Sequence, residues 1–127
     1  MSSLNKNYSI LIVEPNKNSG LPYSFFKQKQ FNLATTASIQ KALKDLAQFT
    51  PNLVLLSTSF STDQLIIFLE ALKNASSKQI IPLILVVDLT KPLSILPGTS
   101  WGKKLGIIHS LSSKKEISAT LDRILYS

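Results

Sequence analysis

Five short apolar runs, separated by longer stretches whose apolar residues recur at helical spacing, constrain this chain more than any other feature of its sequence. The runs are Ile10-Leu11-Ile12-Val13, Asn32-Leu33-Ala34-Thr35, Leu53-Val54-Leu55-Leu56, Leu83-Ile84-Leu85-Val86-Val87 and Gly106-Ile107-Ile108-His109. A strand buried on one face alternates apolar with polar residues. A strand that is apolar throughout is buried on both faces, and parallel sheets reach that state by carrying helical crossovers on either side. All the runs except the second are apolar nearly throughout, and the second, more polar, reads as an edge strand. The expected fold class is α/β, a doubly wound five-stranded parallel sheet. Its 127 residues suit one hydrophobic core, so a single domain over residues 1–127 is expected.

The intervening segments carry their own signals. Asn18 or Ser19 is placed to cap a helix that runs to Lys29 and buries Leu21, Phe25 and Phe26, with Pro22 tolerated in the first turn. Ser38 precedes Ile39, Ala42, Leu43, Leu46 and Ala47, an apolar stripe whose opposite face carries Gln40, Lys41, Lys44 and Asp45. A third helix over about residues 63–74 is apolar around most of its circumference through Leu65, Ile66, Ile67, Phe68, Leu69 and Leu72. Such a helix covers more than one neighbour or meets a partner. Ser113 and Glu116 have the spacing of a capping box, and Ile117, Leu121, Ile124 and Leu125 then form one helical face. Between residues 89 and 105, Pro92, Pro97 and Gly98 interrupt helical pattern, so an irregular fourth helix or a loop is expected there.

Composition narrows the class. Hydrophobic residues make up 44% of the chain and charged residues 17%, the balance of a globular protein. The absence of cysteine excludes disulfides, thiolate metal sites and a cysteine nucleophile. Residues 1–8 lack the basic and apolar segments of a secretory signal, and the longest apolar run, residues 80–87, is too short to span a bilayer, so a cytoplasmic protein with no membrane partner is expected. The net charge of +7 invites a nucleic-acid reading. Against it, the lysines are spread along the chain, adjacent pairs occur only at Lys103-Lys104 and Lys114-Lys115, and the one arginine is Arg123.

Four stretches together resemble the receiver domains of response regulators. Residues 8–16, Tyr-Ser-Ile-Leu-Ile-Val-Glu-Pro-Asn, are similar to the family's first strand, which ends in two acidic residues that hold Mg²⁺. Residues 51–57, Pro-Asn-Leu-Val-Leu-Leu-Ser, are similar to the third strand, which ends in the phosphate-accepting aspartate. Residues 81–87, Ile-Pro-Leu-Ile-Leu-Val-Val, are similar to the fourth strand, which ends in Thr or Ser, and residues 106–111 to the fifth, which ends in Lys and Pro. The resemblance implies the flavodoxin-like strand order 2-1-3-4-5. It also implies a degenerate site. Glu14 is what remains of the acidic pair beside Pro15, Ser57 stands at the acceptor position, Val87 replaces the switch hydroxyl and Ser110 replaces the lysine. A neutral serine without a base is a poor nucleophile, and a single carboxylate makes a weak Mg²⁺ site.

Ile107 falls where the family often carries a switching aromatic. The expectation is a pseudo-receiver: no enzyme, no cofactor, no metal, and a protein-binding module of two-component-type signalling. Its partner is a signalling protein, with a homodimer as one form of that partnership. The resemblance places the partner face within residues 91–126, and Trp101, Lys103, Lys104, Lys114 and Lys115 are its candidate contacts, an aromatic anchor ringed by positive charge for an acidic partner. Trp101 has the alternative of lying over the core. Nucleic-acid binding through the lysines is the second reading, and a small enzyme using Glu14, Asp88 and His109 the third.

Overall fold

The computed structural model of the chain describes residues 8–15, 21–27, 31–75, 80–90, 101–109 and 111–126. Its elements run β1 (Ser9–Val13), α1 (Leu21–Lys27), β2 (Asn32–Thr36), α2 (Ile39–Gln48), β3 (Leu53–Ser57), α3 (Thr62–Ala75), β4 (Leu83–Val87), a 3-10 turn (Gly102–Lys104), β5 (Leu105–His109) and α4 (Lys114–Tyr126). All strand pairs are parallel, and the sheet has the expected order β2-β1-β3-β4-β5. The polar second run forms an edge, as its composition requires.

Strand alternation divides the core into two layers. Leu11, Val13, Val54, Leu56, Leu83 and Leu85 face one side, where Ile39 and Ala42 of α2 and Leu65, Phe68, Leu69 and Leu72 of α3 cover them. Ile10, Ile12, Leu53, Leu55, Ile84, Val86 and Ile108 face the other, against Tyr23, Phe25 and Phe26 of α1 and Ile117, Leu121 and Ile124 of α4. The all-round apolar α3 packs beside α2 and on the sheet but leaves Ile66 and Ile67 exposed.

Local chemistry sets the helix ends. Ser38 caps α2 by accepting the Lys41 N–H at 3.2 Å. The capping box of α4 closes in both directions: Ser113 N–H donates to Glu116 Oε1 at 2.9 Å, and Glu116 N–H donates to Ser113 Oγ at 3.1 Å. The backbone N–H of Ser113, then its hydroxyl, holds the Glu116 carboxyl below its ordinary range. Asn52 ties the start of β3 to β1, its Oδ1 accepting the Ser9 N–H at 2.8 Å while its own N–H donates to the Ser9 carbonyl at 2.8 Å.

Three expectations change. Asp45, assigned to the polar face of α2, is buried and pairs with Lys41 one turn back at 3.0 Å, because the flank of α2 lies against neighbouring elements. Ala47, assigned to the apolar stripe, is exposed. Tyr23, absent from the expected core, is buried with Phe25 and Phe26. The proposed caps Asn18 and Ser19, the helix end at Lys29 and the interrupted stretch with Pro92, Pro97 and Gly98 lie outside the described residues.

The outer edge of β5 is occupied at both ends. The Arg123 guanidinium donates to the Leu105 carbonyl at 3.3 Å. At the other end the Ser112 hydroxyl accepts the His109 N–H at 2.9 Å, and the Ser112 N–H donates to the His109 carbonyl at 3.0 Å. Gly102 enters the preceding turn at φ 51°, a conformation glycine adopts without steric cost. Gly106 serves a different need, close approach of α4 to β5. A Cβ there would lie 2.6 Å from Thr120 Cγ2 and 3.4 Å from Ile84 Cγ1. Gly106→Ala is therefore expected to lower stability by about 1–3 kcal/mol, measured by urea unfolding followed through Trp101 fluorescence.

Candidate functional site

Alternation along the central strands decides what gathers at their carboxyl ends. Ile10 and Ile12 on β1, and Leu53 and Leu55 on β3, point toward α1. Two residues further on, Glu14 and Ser57 continue that face, and the pairing of Val13 with Leu56 sets them side by side. Pro15 follows Glu14, and Val87 ends β4 beside them, both half-buried. Ser110 lies outside the described residues.

Ser57 is 3% exposed, and its Oγ accepts the Ser59 N–H at 3.1 Å. The hydroxyl thus closes a short turn at the strand end. Thr58 carries the connection to β4: its N–H donates to the Val86 carbonyl at 3.1 Å, and its Oγ1 accepts the Asp88 N–H at 2.9 Å. Asp88 then takes the Ser59 hydroxyl on one oxygen and Thr90 on the other. The Ser-Thr-Ser run at residues 57–59 and the Asp-x-Thr spacing at residues 88–90 were the sequence signals for this network, and apolar patterning passes over both.

Tyr23 completes the site from α1. It is 5% exposed, and its hydroxyl faces Glu14 and Ser57 without meeting hydrogen-bond geometry with a partner among the described residues. Burial pushes the phenol well above its usual range; the Glu14 carboxylate adds to the rise and Ser57 opposes it.

The donor set does not suit a divalent cation. Glu14 is the only carboxylate at its strand end, Pro15 offers no side-chain ligand, and Ser57 presents a neutral hydroxyl already engaged with a backbone amide. Among the described residues no group of three or more His, Cys, Asp or Glu side chains is arranged to hold a metal. His109 accepts the Leu111 N–H on Nδ1 at 3.2 Å.

The candidate partner contacts divide. Trp101 is 3% exposed, packs with Leu83 and Leu85, and donates its indole N–H to the Ile81 carbonyl at 2.9 Å. The assignment of Trp101 as an exposed anchor is corrected: the large apolar ring gains more from covering β4, and its one polar atom finds a backbone acceptor there. Lys104 is half-buried and donates its ammonium to the Ile124 carbonyl at 3.0 Å, near the end of α4. Lys103, Lys114 and Lys115 are exposed. Sequence patterning did not single out Leu111, 76% exposed, as a surface residue, and Ile107 is 48% exposed on β5.

No family model matches the sequence, and no curated protein matches it. Solved structures do. A two-component response regulator from Legionella pneumophila is similar over 95% of this chain and 100% of its own, at 17% identity and a TM-score of 0.69. The fold is the receiver fold. The N-terminal domain of a response regulator/sensory box/GGDEF three-domain protein from Carboxydothermus hydrogenoformans matches over 93% of this chain and 94% of its own, at 14% identity and a TM-score of 0.69. A CheY-like receiver domain protein from Methanospirillum hungatei matches over 91% and 93%, at 14% identity and a TM-score of 0.67. In the receiver fold, Glu14 and Ser57 occupy the strand ends at which the order of the sheet reverses, the usual ligand position in open α/β sheets.

The raised ionisation of Tyr23 has a measurable sign. The folded state holds the phenol proton more tightly than the unfolded chain, whose tyrosines ionise near 10.0. This contribution to stability is complete below that pH and is lost as pH rises beyond it. Unfolding free energy measured against pH is expected to fall more steeply above pH 10.0 in the wild type than in Tyr23→Phe.

Proposed function

We propose that the chain is a pseudo-receiver: a receiver fold that does not accept phosphate and works as a protein-interaction module in two-component-type signalling. The observation that carries this reading is Ser57, a buried neutral hydroxyl at the acceptor position whose oxygen is held by the Ser59 amide. Phosphoryl transfer to a side chain needs an activated nucleophile and compensation of the developing negative charge. Ser57 has no base assigned to it, Glu14 lacks a second acidic neighbour, and Val87 offers no hydroxyl. Incubation with acetyl phosphate and Mg²⁺ is expected to leave the intact mass unchanged, and stoichiometric acid-labile phosphate would sink the proposal.

A module without a phosphoryl trigger acts through its surface. Lys103 in the turn before β5 and Lys114 and Lys115 at the start of α4 are exposed, as are the apolar side chains Ile107 on β5 and Leu111 just after it. This surface suits an acidic protein partner, charge guiding encounter and the apolar side chains slowing dissociation. Lys104 and Trp101 are instead engaged with the Ile124 and Ile81 carbonyls. The triple variant Lys103→Glu, Lys114→Glu, Lys115→Glu is expected to weaken binding to a partner recovered by pull-down by about tenfold or more, while Ser57→Ala stays within about tenfold of wild type. Equal affinities across these variants would place the interface elsewhere, with exposed Ile66 and Ile67 of α3 next to be tested.

A further inference from the structure

The Asp88 carboxylate joins two stretches of chain that sheet pairing does not join. Its Oδ1 accepts the Thr90 N–H at 2.9 Å and the Thr90 hydroxyl at 2.6 Å, which folds the exit of β4 into a tight turn. Its Oδ2 accepts the Ser59 hydroxyl at 2.9 Å, across the sheet's end from the exit of β3. Thr58 makes the return bond, accepting the Asp88 N–H at 2.9 Å. The Ser59 N–H, finally, is held by Ser57 Oγ at 3.1 Å. Hydrogen bonds to an ionised carboxylate are stronger than neutral ones, and networks of them select one arrangement over neighbouring ones.

We propose that Asp88 is a permanent staple between the loops that leave β3 and β4, fixing their relative arrangement without any group being added at residue 57. Ser57 enters the network only as an acceptor for Ser59, so the cross-loop tie runs through Ser59, Asp88 and Thr58. Both Asp88 oxygens are turned to donors of the chain. The staple holds Leu89 and Thr90 in their exposed positions at the head of the segment that leads toward the 3-10 turn and β5. The carboxyl end of the sheet is thereby a surface of one state.

Amide exchange and chemical shifts of the full chain labelled with ¹⁵N test the staple directly. Asp88→Ala is expected to speed exchange of the Thr90 amide by about tenfold or more and to shift the Thr58 and Ser59 resonances. Ser57→Ala should leave Thr90 exchange within about twofold of wild type. Ser59→Ala keeps the carboxylate and removes the cross-loop donor, and its shifts are expected to reach Asp88 and Thr90. This second variant decides the matter if Asp88→Ala does not fold, as judged by loss of the buried-indole emission of Trp101. Unchanged Thr90 exchange in a folded Asp88→Ala, or Ser59→Ala shifts confined to residues 57–61, overturns the proposal.

Discussion

Ile10, Leu11, Ile12 and Val13 of β1 pair in register with Leu53, Val54, Leu55 and Leu56 of β3, and all of these side chains are buried. Because they point alternately to opposite faces, neither face of the sheet's centre can be left to water. Each fully buried Leu or Ile side chain is worth roughly 1.5–3 kcal/mol, so an uncovered face would forfeit several times that amount. The helices follow from this requirement. α2 and α3 close one side and α1 and α4 the other, and in β1, β3 and β4 polar side chains are confined to the strand ends.

That confinement explains why the candidate site sits where it does. A strand apolar along its length offers its first polar position where it emerges, at Glu14 for β1 and Ser57 for β3. Once there, a polar group competes with burial. Ser57 is satisfied by a backbone amide, Asp88 by two hydroxyls and an amide, and Tyr23 instead keeps its proton under the pressure of burial and of the Glu14 charge. The strand ends of this receiver fold carry neutral hydroxyls and the Glu14 and Asp88 carboxylates, and the Ser59, Thr58 and Asp88 groups tie the loops that leave β3 and β4 together.

The strands and the caps of α2 and α4 were legible in the sequence because each rests on short-range pattern: Ser38 and the Ser113–Glu116 box lie three residues from what they bond. The order of the strands came from the resemblance and not from any local pattern. The edge position of β2 followed from its polarity. What patterning could not supply depends on contacts distant along the chain. Trp101 finds its acceptor at Ile81, Asp88 finds Ser59, and Lys104 finds Ile124, each about twenty or more residues away. Asp45 shows the same limit within a helix, since a charged residue at a flank reads as exposed until a neighbouring element buries it beside Lys41. Ser57, Glu14 and Val87 were placed by resemblance, whereas Tyr23 went unnoticed because an aromatic beside Phe25 and Phe26 carries no sign that its hydroxyl will meet a strand end.

The caps on β5 bear on how copies of this chain meet one another. An outermost strand with bare N–H and carbonyl groups is a template on which a further strand can grow, and lengthening sheets of that kind underlie domain swapping and fibrils. Arg123 and Ser112 already hold the groups at the two ends of β5, leaving too short a free stretch to seed such growth. Self-association on this side would have to proceed by side-chain contact. The edge is thus guarded by Arg123 of α4 and by Ser112 in the turn that leads into that helix, so loosening α4 would expose a strand as well as a core.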